Sequence, residues 1–69
     1  MSKFKIEISS VPDRENLVAE IWQDEILVAE INQETEKLEI EFYLNEKIAF
    51  KLDDFMKTLE IAKRKILQK

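Results

Sequence analysis

The stretch LVAEIWQDEILVAEI, Leu17 to Ile31, decides the fold, because it holds the same five residues twice: Leu17-Val18-Ala19-Glu20-Ile21 and Leu27-Val28-Ala29-Glu30-Ile31. Within each copy apolar and other residues alternate with period two, the pattern of a strand with one buried face. A unit this short cannot be a solenoid repeat. A strand, a turn near Asp24 and a matching strand is the simpler account. That hairpin sets Ile21 beside Leu27, Ala19 beside Ala29 and Leu17 beside Ile31, with all six on one face. The register follows, since slipping by one residue would turn every side chain to the wrong side.

Working outward, the alternation continues on both flanks. Upstream, Phe4, Ile6 and Ile8 alternate with Lys3, Lys5 and Glu7, and Ser9 to Glu15, with Pro12 and Asp13, reads as a loop that brings Ile8 beside Leu17. Downstream, a turn at Glu34-Thr35 places Leu38, Ile40 and Phe42 beside Ile31, Ala29 and Leu27, so that Glu30 and Glu39 are directly opposed. A turn around Asn45, a residue type that tolerates a left-handed backbone, then pairs Phe42 with Ile48 and Ile40 with Phe50. The absence of glycine predicts longer or type I connections instead of very tight turns. From Asp53 the period becomes helical through Leu52, Phe55, Met56, Leu59, Ala62, Ile66 and Leu67, with Asp53 or Asp54 as N-cap and Lys63, Arg64, Lys65 and Lys69 near the favourable C-terminal end. The expected architecture is a single α+β domain over residues 1–69. It has a four- to five-stranded antiparallel meander (strands about 3–9, 16–23, 26–32, 37–43 and 47–51) with one C-terminal helix, about 53–67, packed on one face.

Composition narrows the chemistry. A chain of 69 residues buries about 60% of the surface its unfolded form exposes, so a further source of burial through association is open to it. With no cysteine and no histidine there is no thiolate, disulfide or imidazole, and with no glycine the usual phosphate-binding and dinucleotide loops are missing. No catalytic, cofactor-binding or metal-binding residue is therefore assigned, although Glu30, Glu39 and Glu41 are the carboxylates that a magnesium-dependent activity would use. Fifteen acidic against eleven basic residues give a formal net charge of -4, which favours a partner with a basic surface over a nucleic acid. No apolar run is long enough for a membrane span or a signal h-region, so a cytoplasmic, membrane-free protein is expected.

The solvent-facing residues of the sheet carry the functional expectation. In the register above, Trp22, Ile26 and Tyr43 form one outward row and Glu20, Glu30, Glu39 and Glu41 an acidic patch beside it, with Lys3, Lys5, Lys47 and Lys51 on the edge strands. These seven residues are the candidate partner-binding set, since Trp and Tyr are enriched at binding hot spots. The same side chains would also serve plain cross-strand packing and edge protection. Self-association through this row, and single-stranded nucleic-acid binding by lysines beside aromatics, are the alternatives.

The strings LVAEIWQDE (17–25), AEINQETEKLEIEFY (29–43) and KLDDFMKTLEIAKRKIL (51–67) resemble a loosely defined group of small bacterial meander-plus-helix proteins, some of which look like immunity proteins of polymorphic toxin systems. That resemblance implies a stoichiometric neutraliser of a partner protein, a nuclease being the natural candidate. Small phage inhibitors of defence nucleases, such as anti-CRISPR proteins, share the size and acidity.

Overall fold

A computed structural model describes residues 4–10 and 16–67. Four strands, β1 (Phe4–Ser9), β2 (Val18–Gln23), β3 (Ile26–Asn32) and β4 (Glu39–Phe42), form one antiparallel sheet in the order β1-β2-β3-β4, followed by one helix, α1 (Leu52–Leu67). The α+β meander with a C-terminal helix is thus present, with four strands. The N-terminal side of the expected first strand at Lys3 and most of the first loop, 11–15, lie outside the described residues.

Away from the β2–β3 turn the faces are as alternation predicts, but the three registers differ from expectation by two residues; at that turn Leu27, expected inside beside Ile21, pairs with Trp22 instead. Ile8 pairs with Ala19 in place of Leu17, Ile21 with Ala29 in place of Leu27, and Ile31 with Ile40 in place of Leu38. A shift of two keeps every side chain on its side, so Ala19, Ile21, Ala29 and Ile31 still join the core. Leu17, expected inside, precedes β2 and is exposed.

The local causes of the shift lie in the connections. The β2–β3 turn is tight despite the lack of glycine: Gln23 pairs with Ile26, and Asp24 takes the left-handed region at φ 55°, which aspartate enters more readily than most residues. Tight closure there is reconciled with Ile21 opposite Ala29 by a bulge, since Trp22 pairs with Leu27 and Val28 is left as the extra residue. Between β3 and β4 the loop is longer than the expected turn. The Asn32 side chain accepts from Glu34 N (3.3 Å) and Thr35 Oγ1 donates to the Lys37 carbonyl (2.7 Å), giving the loop its own hydrogen bonds.

Among the described residues no fifth strand forms: residues 47–51 have no ladder partner. The position of α1 explains this. The helix packs on β1 and β2, the far side of the sheet from β4, so the chain after Phe42 must travel back across the sheet. Phe50 marks its arrival, with its ring 5.1 Å from Phe4 of β1 and 5.5 Å from Phe55 of α1, centroid to centroid. Phe4 and Phe55 complete the group at 5.5 Å, spacings at which aromatic pairs add to their area burial.

α1 starts one residue earlier than expected. Phe55 N donates to the Lys51 carbonyl at 3.0 Å, so Lys51 occupies the cap position and Asp53 and Asp54 sit in the first turn, where the helix dipole favours their charge. Thr58, Ala62 and Ile66 are buried and Phe55 and Leu59 half-buried on the core side, while Leu52, Met56 and Leu67, expected in the buried stripe, are exposed. Among the described residues no helix is long and apolar enough to cross a membrane.

Candidate functional site: the sheet face opposite the helix

Because the shift preserves the faces, the candidate glutamates do lie on the side away from α1, but in a new arrangement. Glu7 pairs with Glu20, Glu20 with Glu30 and Glu30 with Glu41. One straight row of carboxylates therefore crosses all four strands at a single level. Glu39 leaves the predicted opposition to Glu30 and stands opposite Asn32 instead.

The row is not uniformly accessible. Glu30, on a central strand with neighbours on both sides, is buried at 6% exposure, so it cannot be the open contact residue that alternation suggested. Glu20 is half-buried, and its Oε1 accepts from both Ser9 Oγ and Trp22 Nε1 at 3.3 Å. Glu41 is exposed and its Oε1 accepts from the buried Asn32 Nδ2 at 3.2 Å. Glu7 pairs with Lys5 at 3.2 Å, an exposed bridge of a kind that contributes about 0–1 kcal/mol. The accessible negative charge is therefore greatest along β4, at Glu39 and Glu41, and on β1 at Glu7. Among the described residues no group of three or more acidic or other ligating side chains could hold a metal ion.

The aromatic row does not assemble as predicted. The bulge places Leu27 opposite Trp22 and sends Ile26 opposite Gln23. Trp22 borders a shallow depression of about 260 Å³ with Lys5, Glu7, Asp24 and Glu25. Ile26 and Tyr43 border a different one, about 220 Å³, with Leu44, Asn45, Glu46 and Ile48. Tyr43 is anchored past the end of β4 by its N–H donating to the Val28 carbonyl at 2.9 Å and is 43% exposed. Of the seven candidates, Glu20, Glu30 and Glu41 share the row, Trp22 is tied to it through Glu20, Glu39 lies one pair further along, and Ile26 and Tyr43 form a separate patch.

Sequence reasoning missed Glu7 as a member of the row, and Ser9 and Asn32 as the groups that hold its carboxylates. Glu7 was already on the outward face, and only the register hid its place. Compared with protein-family models, curated proteins and solved structures, the chain matches none. The reading of this face therefore rests on its own residues.

Proposed function

We propose that this chain is a non-enzymatic binding protein whose acidic sheet face docks on a cationic protein surface and neutralises or stabilises its owner. The observation that carries the reading is the row Glu7, Glu20, Glu30 and Glu41. Opposite-charge pairs stabilise a sheet by roughly 0.2–1 kcal/mol, whereas like charges directly opposite destabilise it. A sequence under pressure only to fold would not set glutamate against glutamate across three consecutive strand pairs. A carboxylate row does favour rapid, oriented association with a positive surface. The basic groove of a nuclease is the surface that fits best, in the manner of an immunity or anti-CRISPR inhibitor, and phosphates of a nucleic acid would be repelled by the same row.

Affinity capture from the native cell tests this, with the chain as bait and Glu39→Lys plus Glu41→Lys, and separately Tyr43→Ala, as variants of exposed residues. The partner should be a basic protein, lost from the charge-reversed bait and reduced with Tyr43→Ala. Raising salt from 50 to 500 mM should slow association by roughly tenfold or more, as screening of steering charges requires. Retention of every partner by folded variants of both kinds would remove this face from consideration.

A further inference from the structure

The main-chain edge of β4 is open, and the ladder on its other side fixes how. β4 pairs with β3, and among the described residues no strand lies on its far side. Residues 47–51, whose alternation suits that place, are drawn away toward Phe4 and α1. All four residues of β4 are exposed. Lysine, proline, a bulge or an inward-pointing charge commonly keeps an edge from pairing. β4 is short but has none of the four, since its inward residues are Ile40 and Phe42, opposite the core residues Ile31 and Ala29. The ladder also decides which backbone groups are turned outward. Tyr43 N–H donates to the Val28 carbonyl at 2.9 Å, and in an antiparallel ladder hydrogen-bonded and non-bonded pairs alternate. Counting from that pair, Glu41 with Glu30 and Glu39 with Asn32 are bonded pairs, whereas Phe42 with Ala29 and Ile40 with Ile31 are not. The N–H and C=O groups of Ile40 and Phe42 therefore point away from β3, toward the open edge.

We infer that the cationic partner inserts an extended segment at this edge, as a further antiparallel strand in which basic and apolar residues alternate. The inference rests on the acidic-face reading and adds to it how the partner is held. Main-chain bonds come from Ile40 and Phe42. Glu39 and Glu41 then stand in the non-bonded pairs of the new ladder, where facing Cα atoms are only about 4.5 Å apart and side chains approach most closely. Both carboxylates are exposed and belong to the outward face. Arginine or lysine is selected opposite each, because opposite charges stabilise a cross-strand pair and like charges destabilise it. On the inward side the residue beside Ile40 borders the groove that Ile31, Leu38 and Leu59 line, and an apolar side chain suits it. Strand addition of this kind takes affinity from main-chain bonds and specificity from alternate side chains. A second copy of the chain is the poorer occupant. Pairing β4 with β4 opposes glutamate to glutamate. Pairing β4 with β1 of another copy sets Glu7 beside Glu39 once Lys5 stands beside Glu41, and such head-to-tail contact repeats into an open array.

The probe is a synthetic peptide of alternating lysine and valine, capped at both ends, added to the full chain and followed by amide hydrogen exchange in NMR spectra. In the free chain the amides of Ile40 and Phe42 should exchange at least tenfold faster than those of Glu41 and Tyr43, as the bonding parity requires. Peptide should slow Ile40 and Phe42 at least tenfold and leave Glu41 and Tyr43 unchanged. Two N-methylated peptides separate strand pairing from charge attraction without altering the protein. Methylation of the valines, whose N–H groups face β4, should abolish binding, and methylation of the lysines, whose N–H groups face solvent, should preserve it. Glu39→Lys with Glu41→Lys should weaken binding at least tenfold. No protection by the peptide, equal binding of the two methylated peptides, or protection of Ile40 and Phe42 that rises with protein concentration before peptide is added would overturn the inference. In each of those cases, loss of the captured partner from the charge-reversed bait would still uphold the acidic-face reading, so the two fail separately.

Discussion

The two central strands and the edge strand β4 have similar inward residues and opposite fates. β2 and β3 derive from the repeated LVAEI, and the inward residues of both, Ala19, Ile21, Ala29 and Ile31, are buried in one core with Ala62 and Ile66 of α1. In β4 the inward residues Ile40 and Phe42 remain exposed. Hydrophobicity is equal or greater where burial is less. What differs is the presence of a second layer, which stops short of β4.

The largest consequence is a contrast in cost between two truncations that look alike in sequence. Ile21→Ala removes a fully buried side chain and should cost about 2–5 kcal/mol, enough to unfold most of a domain whose stability is only about 3–5 kcal/mol. Phe42→Ala removes a larger side chain at 59% exposure and should cost well under the roughly 3–5 kcal/mol of a buried phenylalanine. Urea denaturation at low micromolar concentration, followed by Trp22 fluorescence and helix dichroism, measures both. Equal losses would mean that the β4 face is already covered in the isolated chain.

A second contrast lies on the opposite face, between Asn32 and Gln33. Asn32 is buried at 1% exposure, donates to Glu41 and accepts from Glu34 N, whereas Gln33 Nε2 donates to the Leu17 carbonyl at 3.0 Å in an exposed position. Asn32→Ala removes two hydrogen bonds of a buried side chain and should cost about 1–3 kcal/mol, while an exposed bond such as that of Gln33 contributes about 0.5–1.5 kcal/mol at most. Denaturation midpoints rank them. If Gln33→Ala proved the more damaging, the junction of β2 with the β3–β4 loop would be the anchor of this half.

The faces could be read from sequence, and the rows could not, for one physical reason. Period-two alternation is unchanged by a shift of two residues, so Ile21 beside Leu27 and Ile21 beside Ala29 satisfy the same pattern. Register was decided instead by short-range chemistry that hydrophobicity does not encode: the backbone of Asp24, the bulge at Val28, and the hydrogen bonds of Asn32 and Thr35. The loss of a fifth strand has a similar origin. Residues 47–51 alternate well enough, but the side of the sheet that α1 covers dictates that Phe50 be carried to Phe4. The acidic composition of the candidate face was legible; its alignment into one row, and the burial of Glu30 within it, depended on register.

The smallest expected effect tests that register at its source, in the turn that joins β2 to β3. Asp24 holds a backbone angle, φ 55°, that costs most side-chain-bearing residues roughly 1–2 kcal/mol, and β-branched residues are genuine outliers there. Asp24→Asn should be neutral, Asp24→Gly should change stability by no more than about 1 kcal/mol, the gain in turn geometry being offset by the entropy of a freer unfolded chain, and Asp24→Val should cost about 1 kcal/mol or more. In the folded fraction of each, cross-strand nuclear Overhauser contacts between Glu20 and Glu30 report whether the pair still stands opposed. They should persist in the Asn and Gly variants. If Asp24→Val instead moved Ile21 opposite Leu27 with both faces conserved, the turn alone would be choosing between two registers of equal hydrophobic merit, and the carboxylate row would exist only because Asp24 accepts a left-handed backbone.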